Sequence, residues 1–542
     1  MTLRCRCNLR IIDNQRWGLG KRSFPEYPFF ALVGSSAADQ GEKKGYLEGL
    51  RPSKPPWKRR PRKTYILNTG NMKYHIVTLG CPKNIVDSEG MGGILAAQGH
   101  TSVTQPGDAD VVIVNTCSFI AAARDETLGV LRAMADGKTP GQTLVAAGCM
   151  AESHGSLVGA VPGVDAILST REWMKIGDLL MAGDRGQGIG DRNAAERREV
   201  IPLSLATAPH PPSPIPHPPS PDLAVPGDYA DWRTAPIRRH AGGPSAYLKI
   251  SDGCNLRCAF CTIPSFKGDM RSKAMGGILG EAQELAAQGV KEIVLVAQHL
   301  TDYGRDLKIK DGLATLLEEL CAVLPDDTWL RLMYAYPHGI SDQLIATMAR
   351  HPQICAYLDM PLQHAHPETL RRMRRPPDTD RTKGIIRDLR AAMPDIALRS
   401  TFIVGFPGET REEFTALQSF LEEVQLDRVG VFRYSQEPGT PAATLPSQVP
   451  ARVIERRWNE VMQLQQRVSL ARNQHWDGRT IRMLVEGQGT SDDGAPLVVG
   501  RSFRDAPEVD GQVFAWGVAQ PGSFVNVRVT QALEYDLWGE LA

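Results

Sequence analysis

The chain has 542 residues, with 62 Lys and Arg against 61 Asp and Glu. It is too long for a single hydrophobic core, and it lacks the overall charge excess that marks a nucleic-acid binder. No apolar run approaches the roughly 18 residues that span a bilayer, and no apolar secretory core opens the sequence, so the expected location is the cytoplasm, with no membrane partner.

Residues 1–71 hold 15 Lys and Arg against 5 Asp and Glu with no helical or strand period, which predicts a disordered basic extension ahead of the first ordered pattern at Met72. From Lys73 short apolar runs alternate with amphipathic stretches, the pattern of β/α units on a parallel sheet. The clearest strand runs are Ile76-Val77-Thr78-Leu79, Val111-Val112-Ile113-Val114 and Leu144-Val145-Ala146-Ala147, with helices at about 84 to 98 and 119 to 135. They define an N-terminal α/β domain, an open parallel sheet over 72–182. Residues 183–243 contain the run from Pro209 to Pro221, too rich in proline for helix or ladder, and read as a linker.

A second β/α series occupies 244–470, with strand runs near 247 to 250, 292 to 297, 330 to 334, 356 to 361, 398 to 405 and 428 to 434. Six units without a seventh or eighth predict a partial (β/α)6 barrel, since closure takes eight. Over 471–542 the rhythm changes to short alternating runs, such as Ile481 to Val485 and Phe524 to Val529, which predict a small antiparallel β-domain. From His475 onward there are 5 Arg and 10 Asp and Glu, so this domain is acidic.

Ten cysteines are too few for a disulfide scaffold at this length, so spacing decides their use. Cys254, Cys258 and Cys261 form CxxxCxxC directly after the strand run that ends at Ile250. Three thiolates on one loop hold three irons of a 4Fe-4S cube and leave the fourth open, whereas a structural zinc site wants a fourth protein ligand. The loop also falls where β/α barrels place their active sites. Cys81, Cys117 and Cys149 are dispersed, but each follows one of the three clearest strands of the first sheet. Strand ends of an open parallel sheet share one edge, so these thiols are expected to converge on a second cluster with an open iron. Cys321 and Cys355 sit in apolar patterns and read as core residues, and Cys5 and Cys7 fall in the basic extension.

Together these features resemble the methylthiotransferase family of radical S-adenosylmethionine (SAM) enzymes, from Met72 to the C-terminus apart from the Pro-rich insertion. Leu79-Gly80-Cys81-Pro82-Lys83-Asn84, the run Tyr357 to His364 and the run Arg399 to Thr410 are similar to the ribosomal-protein-modifying branch, RimO, more than to the tRNA-adenosine branch, MiaB. The terminal β-domain resembles a TRAM domain. The resemblance implies two 4Fe-4S clusters, with SAM bound at the open iron of the Cys254 trio. It implies hydrogen abstraction from the β-carbon of an aspartate in small-subunit ribosomal protein S-twelve, transfer of a methylthio group from the Cys81 trio, and consumption of two SAM. An electron donor such as flavodoxin or ferredoxin and a sulfur source are the further partners it implies.

The segment Gly405-Phe406-Pro407-Gly408-Glu409 follows a barrel strand. Gly405, Pro407, Gly408 and Glu409 are expected SAM contacts, against the alternative of a plain turn before a helix. The chain departs from the family in two places: Gln298-His299 stands where Gln-Asp is usual, which leaves the role of position 299 open, and the linker is longer and richer in proline. An acidic β-domain favours a basic partner such as a ribosomal protein over tRNA, whose phosphates call for a basic surface. The alternatives are the same chemistry on tRNA adenosine, and a non-catalytic iron-sulfur scaffold or sensor.

Overall fold

The structure is a computed structural model that describes residues 71–181, 232–233, 237–239, 241–491 and 494–542. The basic extension up to residue 70 and the proline run from Pro209 to Pro221 lie outside the described residues.

The first sheet contains β1 (Lys73–Thr78), β2 (Thr101–Ser102), β3 (Val111–Thr116), β4 (Thr143–Gly148) and β5 (Ala166–Ser169). Their order is β2-β1-β3-β4-β5, and every pairing is parallel. All positions of β3 and β4 are buried, as expected for a parallel sheet covered on both faces. On one face α1 (Pro82–Ala97) contributes Met91, Ile94 and Leu95 to a core with Trp173. On the other, α2 (Ala121–Asp136) packs Leu131 against Leu144 and Val158. Pro82 opens α1, where a missing N–H costs no helical hydrogen bond.

The central sheet consists of β6 (Ser245–Lys249), β9 (Glu292–Val296), β10 (Trp329–Leu332), β11 (Ile354–Asp359), β12 (Ala397–Val404) and β13 (Arg428–Arg433). A two-stranded ribbon, β7 (Ser251–Asp252) with β8 (Arg271–Ser272), lies beside β6. The six strands stand side by side in chain order, all parallel, with β6 and β13 as unpaired ends. This is the partial barrel. Leu248, Leu295, Leu330 and Leu358 face the helices, while the alternating neighbours Tyr247, Val294, Val296 and Tyr357 face the concave side.

The helix Ala451–Gln474 runs past residue 470 into a closed barrel of β14 (Thr480–Thr490), β15 (Pro496–Ser502), β16 (Val513–Trp516), β17 (Phe524–Ala532) and β18 (Leu537–Leu541). Four of its pairings are antiparallel; β16 and β18 pair in parallel, so the domain is not purely antiparallel as expected. Two chain reversals, into and out of β17, bring β18 back alongside β16 in the same direction.

The three units are locked together. Leu484 and Ala506 of the small barrel and Val86 of α1 pack into the concave core of the central sheet. Glu292, fully buried at the start of β9, pairs with Arg331 at 2.6 Å and with Arg501 of the small barrel. Arg428 meets Asp505 at 2.9 Å and Arg504 meets Asp427 at 3.0 Å across the same interface. The end of the segment expected to be linker packs too: Ile237 joins the first core, and Arg239 pairs with Glu89 of α1 at 2.5 Å.

Candidate active site between two cysteine trios

Because β1, β3 and β4 are neighbours, Cys81, Cys117 and Cys149 emerge from adjacent strands at the carboxyl edge of the first sheet. Gly80 turns the chain with φ +88°, and a Cβ there would stand 2.7 Å from both Cβ and Sγ of Cys117. Only glycine accepts that backbone and that approach. Asn84 Nδ2 donates to the carbonyls of Leu79, at 2.7 Å, and Thr116, at 3.1 Å, tying α1 to two of the strand ends. Its Oδ1 faces Cys149 Sγ at 3.8 Å.

The three thiols share one electrostatic environment. Burial and the neighbouring Cys81 push Cys117 up to about 11. Burial pushes Cys149 up to about 12; Lys267 opposes the shift, while Cys81, Cys117 and Asp252 reinforce it.

The second trio sits on the loop after β7. Gly253 has φ +81°, and a Cβ there would meet Asp269 O at 2.2 Å. The loop is strapped down by Cys254 N–H to Gly268 O at 3.1 Å, Ala259 N–H to Met373 O at 2.9 Å and Ala442 N–H to Ala259 O at 2.8 Å. Burial and the other two cysteines push Cys261 up to about 12. Arg375 Nη1 faces Cys258 Sγ at 3.7 Å, and its guanidinium lies 4.3 Å above the Tyr336 ring.

Each trio suits a 4Fe-4S cube with one open iron. Burial alone keeps such thiols neutral, and a coordinated metal removes their protons outright. Lys267 beside Cys149 and Arg375 beside Cys258 supply positive charge for the thiolates. Among the described residues no three His, Cys, Asp or Glu side chains converge on a single metal ion; a cube spreads its ligands over separate irons and needs a wider triangle.

The trios face one another across a seam of buried charge. Asp87 of α1 bonds Lys249 of β6, and Lys267 meets Asp252 at 3.1 Å and Asp87 at 3.8 Å. Burial raises the Asp252 carboxyl, but Lys267 and Lys249 outweigh it and hold the group well below the usual range. Lys83, two residues past Cys81, lies 3.8 Å over the Tyr334 ring and reaches Ala297 O at 3.4 Å. None of Asp87, Lys249, Lys267 and Arg375 is marked by a local motif, and only Lys83 and Asn84 lie within a run that the sequence singles out.

The turn from Gly405 to Glu409 lies beside the second trio, with Phe406 packed on Ala259. The Glu409 carboxylate turns inward: Oε2 accepts from the N–H groups of Gly405 and Phe406, and Oε1 pairs with Arg457 at 3.0 Å. Burial pushes it up to about 7 against the pull of Arg457 and those N–H groups. Pro407 O accepts from Arg372 at 3.1 Å, and Gly408 N–H donates to Ser447 O at 2.8 Å. The turn is thus fixed both by the Glu409 carboxylate and by Arg372, Ser447 and Arg457 around it. Cys321 and Cys355 lie in the cores.

Residues 73–169, the first sheet, match the uncharacterized protein family UPF0004; residues 248–421 match the radical SAM superfamily, and 478–542 match the TRAM domain. A curated protein of Roseiflexus sp. (strain RS-1), ribosomal protein uS12 methylthiotransferase RimO, is 75% identical over 470 residues, 87% of this chain and 97% of its own. The chain belongs to the RimO family. The RimO protein of Chloroflexus aurantiacus is 67% identical over 469 residues, covering 86% of this chain and 99% of its own. Among solved structures, the radical SAM methyltransferase TsrM of Kitasatospora setae, with cobalamin and a [4Fe-4S] cluster bound, aligns at a TM-score of 0.49 and 16% identity over 69% of this chain and 74% of that one. As a RimO-family radical SAM protein the chain uses an iron-sulfur cluster and SAM; the tRNA-adenosine branch is not the one its relatives name.

Proposed function

We propose that the chain attaches a methylthio group to the β-carbon of an aspartate in ribosomal protein uS12, using two 4Fe-4S clusters, one on Cys81, Cys117 and Cys149 and the other on Cys254, Cys258 and Cys261. The observation that carries this reading is the pair of three-thiol sites facing each other across one buried seam. Cys254, Cys258 and Cys261 would hold a cluster that, with SAM and an electron from the donor, would supply the radical chemistry for hydrogen abstraction; Cys81, Cys117 and Cys149 would hold the cluster at which externally supplied sulfur and the methyl group of a second SAM would furnish the methylthio group. The protein positions both sites and excludes water. Lys267 and Arg375 balance thiolate charge, and the Asp87, Lys249, Lys267 and Asp252 network sets the spacing between the trios.

The substrate follows from the RimO relatives, and the acidic excess of the small barrel supports a basic partner. An electron donor such as flavodoxin or ferredoxin and a sulfur source complete the reaction, in the cytoplasm where ribosomes lie.

Anaerobically reconstituted protein is expected to hold about eight irons per chain, two cubes of four, and Cys254→Ala to remove half. About four in the unaltered protein contradicts a second cluster. Mass spectrometry of uS12 and of tRNA nucleosides from a deletion strain tests the substrate: loss of the mark from uS12 supports the assignment, and loss from tRNA alone overturns it. A strictly anaerobic incubation with SAM and dithionite that yields no 5′-deoxyadenosine favours a scaffold.

A further inference from the structure

His299 lies three residues past the carboxyl end of β9, at the start of the short helical turn Leu300–Asp302. It is 7% exposed, yet neither ring nitrogen has a hydrogen-bond partner among the described residues. Asp302 Oδ2 stands 3.8 Å from Nδ1, beyond hydrogen-bond reach. Buried polar groups almost always find partners, so an orphaned imidazole beside a catalytic centre points to a ligand that completes it.

The three residues that end at His299 run between the two trios. Ala297 O accepts from Lys83, two residues past Cys81. Gln298 Nε2 donates to Asp252, two residues before Cys254, at 2.8 Å. The ring of His299 stands edge-on to Tyr336 at 5.0 Å, and the Tyr336 face carries Arg375, which faces Cys258. A carbon that loses hydrogen at one trio and gains sulfur from the other must lie in this gap.

We propose that His299 is a specificity-determining residue whose ring N–H donates to the side-chain carboxylate of the acceptor aspartate, lodged between the trios. This rests on the uS12 reading above. Burial lowers the imidazole to about 4, with Arg375 and Arg305 reinforcing the shift and Asp302 opposing it. The ring is therefore neutral at pH 7, with one N–H to give. Arg375, whose fork of five N–H groups is only partly used by Cys258 and Pro361 O, adds the positive charge a carboxylate needs. Asp302 does not repel such a guest outright, because Arg305 pairs with it at 3.3 Å. SAM also carries a carboxylate, and the test below separates the two.

The test uses reconstituted holoprotein and two peptides, one spanning the uS12 target aspartate and one with asparagine in its place. Dissociation constants for each peptide and for SAM are measured without reductant. His299→Phe keeps the edge contact with Tyr336 but has no N–H. It is expected to weaken the aspartate peptide by roughly tenfold or more and to erase the preference over asparagine, with SAM affinity unchanged. His299→Gln, which keeps a donor, is expected to restore most of that preference. Under reducing conditions His299→Phe should also form more 5′-deoxyadenosine per methylthiolated peptide. Loss of SAM affinity with unchanged peptide binding assigns the carboxylate to SAM and overturns the proposal; unchanged binding of both peptides and SAM in His299→Phe makes the residue structural and also overturns it. Failure of the unaltered protein to methylthiolate the aspartate peptide overturns the substrate reading instead.

Discussion

At Gly80 one absent Cβ brings two sulfurs together. Alanine there must take up φ +88° and pushes within 2.7 Å of the Cys117 side chain, so one of the two cysteines has to move. Gly80→Ala is expected to lower the iron content from about eight to about four per chain while the Cys254 trio keeps its cluster and still yields 5′-deoxyadenosine. Iron assay and nucleoside chromatography on the same sample read both; full iron retention defeats the argument. The six cysteines stood out as candidates in the sequence, three by their CxxxCxxC spacing and three by their places just after strands of the first sheet. Arg375 did not, since it lies 117 residues from the Cys258 it faces and nothing in its neighbours marks it. Glu409 was expected among the SAM contacts, with a plain turn as the alternative, and only the fold reveals that its carboxylate accepts from the N–H groups of Gly405 and Phe406.

Secondary elements repeat this division. The six central strands were readable as apolar runs because a parallel sheet buries both faces. The two-residue strands β2, β7 and β8 are too short to carry a period, yet β7 and β8 frame the second trio. Helix starts are clearer: Thr410 accepts from Glu413 N–H at 3.2 Å while Glu413 Oε2 accepts from Thr410 N–H at 3.1 Å, a reciprocal cap on the helix Arg411–Val424. Thr410→Ala should cost about 1 kcal/mol in denaturant unfolding. Glu413→Ala should cost more, because it also removes the carboxylate that accepts from Arg372 and Thr369. Equal losses for the two variants contradict this ranking.

For the whole molecule, the charge count of the small barrel could be read from sequence, but the destination of its charges could not. Arg501 and Arg504 turn inward, as do Asp505 and Asp510. With Arg479, which pairs with Asp395 at 2.7 Å, three arginines and two aspartates of the small barrel are engaged with the central unit, so the acidic excess of its outer face is not spent there. Glu292 is the hub of that interface. Burial raises its carboxyl, but Arg501 and Arg331 overcome it and bring the group down to about 2 from 4.5. A depressed folded value means the contribution is complete above pH 4.5 and drains away as pH falls towards 2. Glu292→Gln should destabilise the protein by about 3 kcal/mol at neutral pH by leaving the buried Arg331 without its carboxylate, while Arg501 retains Glu486 at 2.7 Å. It should also flatten the acid limb of the unfolding midpoint between those pH values; an unaltered limb excludes Glu292 as its source.

The locked union of the small barrel with the central sheet holds the two at a fixed distance, which would serve as a gauge for a partner held on the barrel. A macromolecule gripped on the barrel's outer wall can offer only the residue lying one set length from the grip. Target choice along such a partner becomes a matter of measurement, and lengthening the tether between grip and target by a few residues should abolish modification even when the local sequence is untouched.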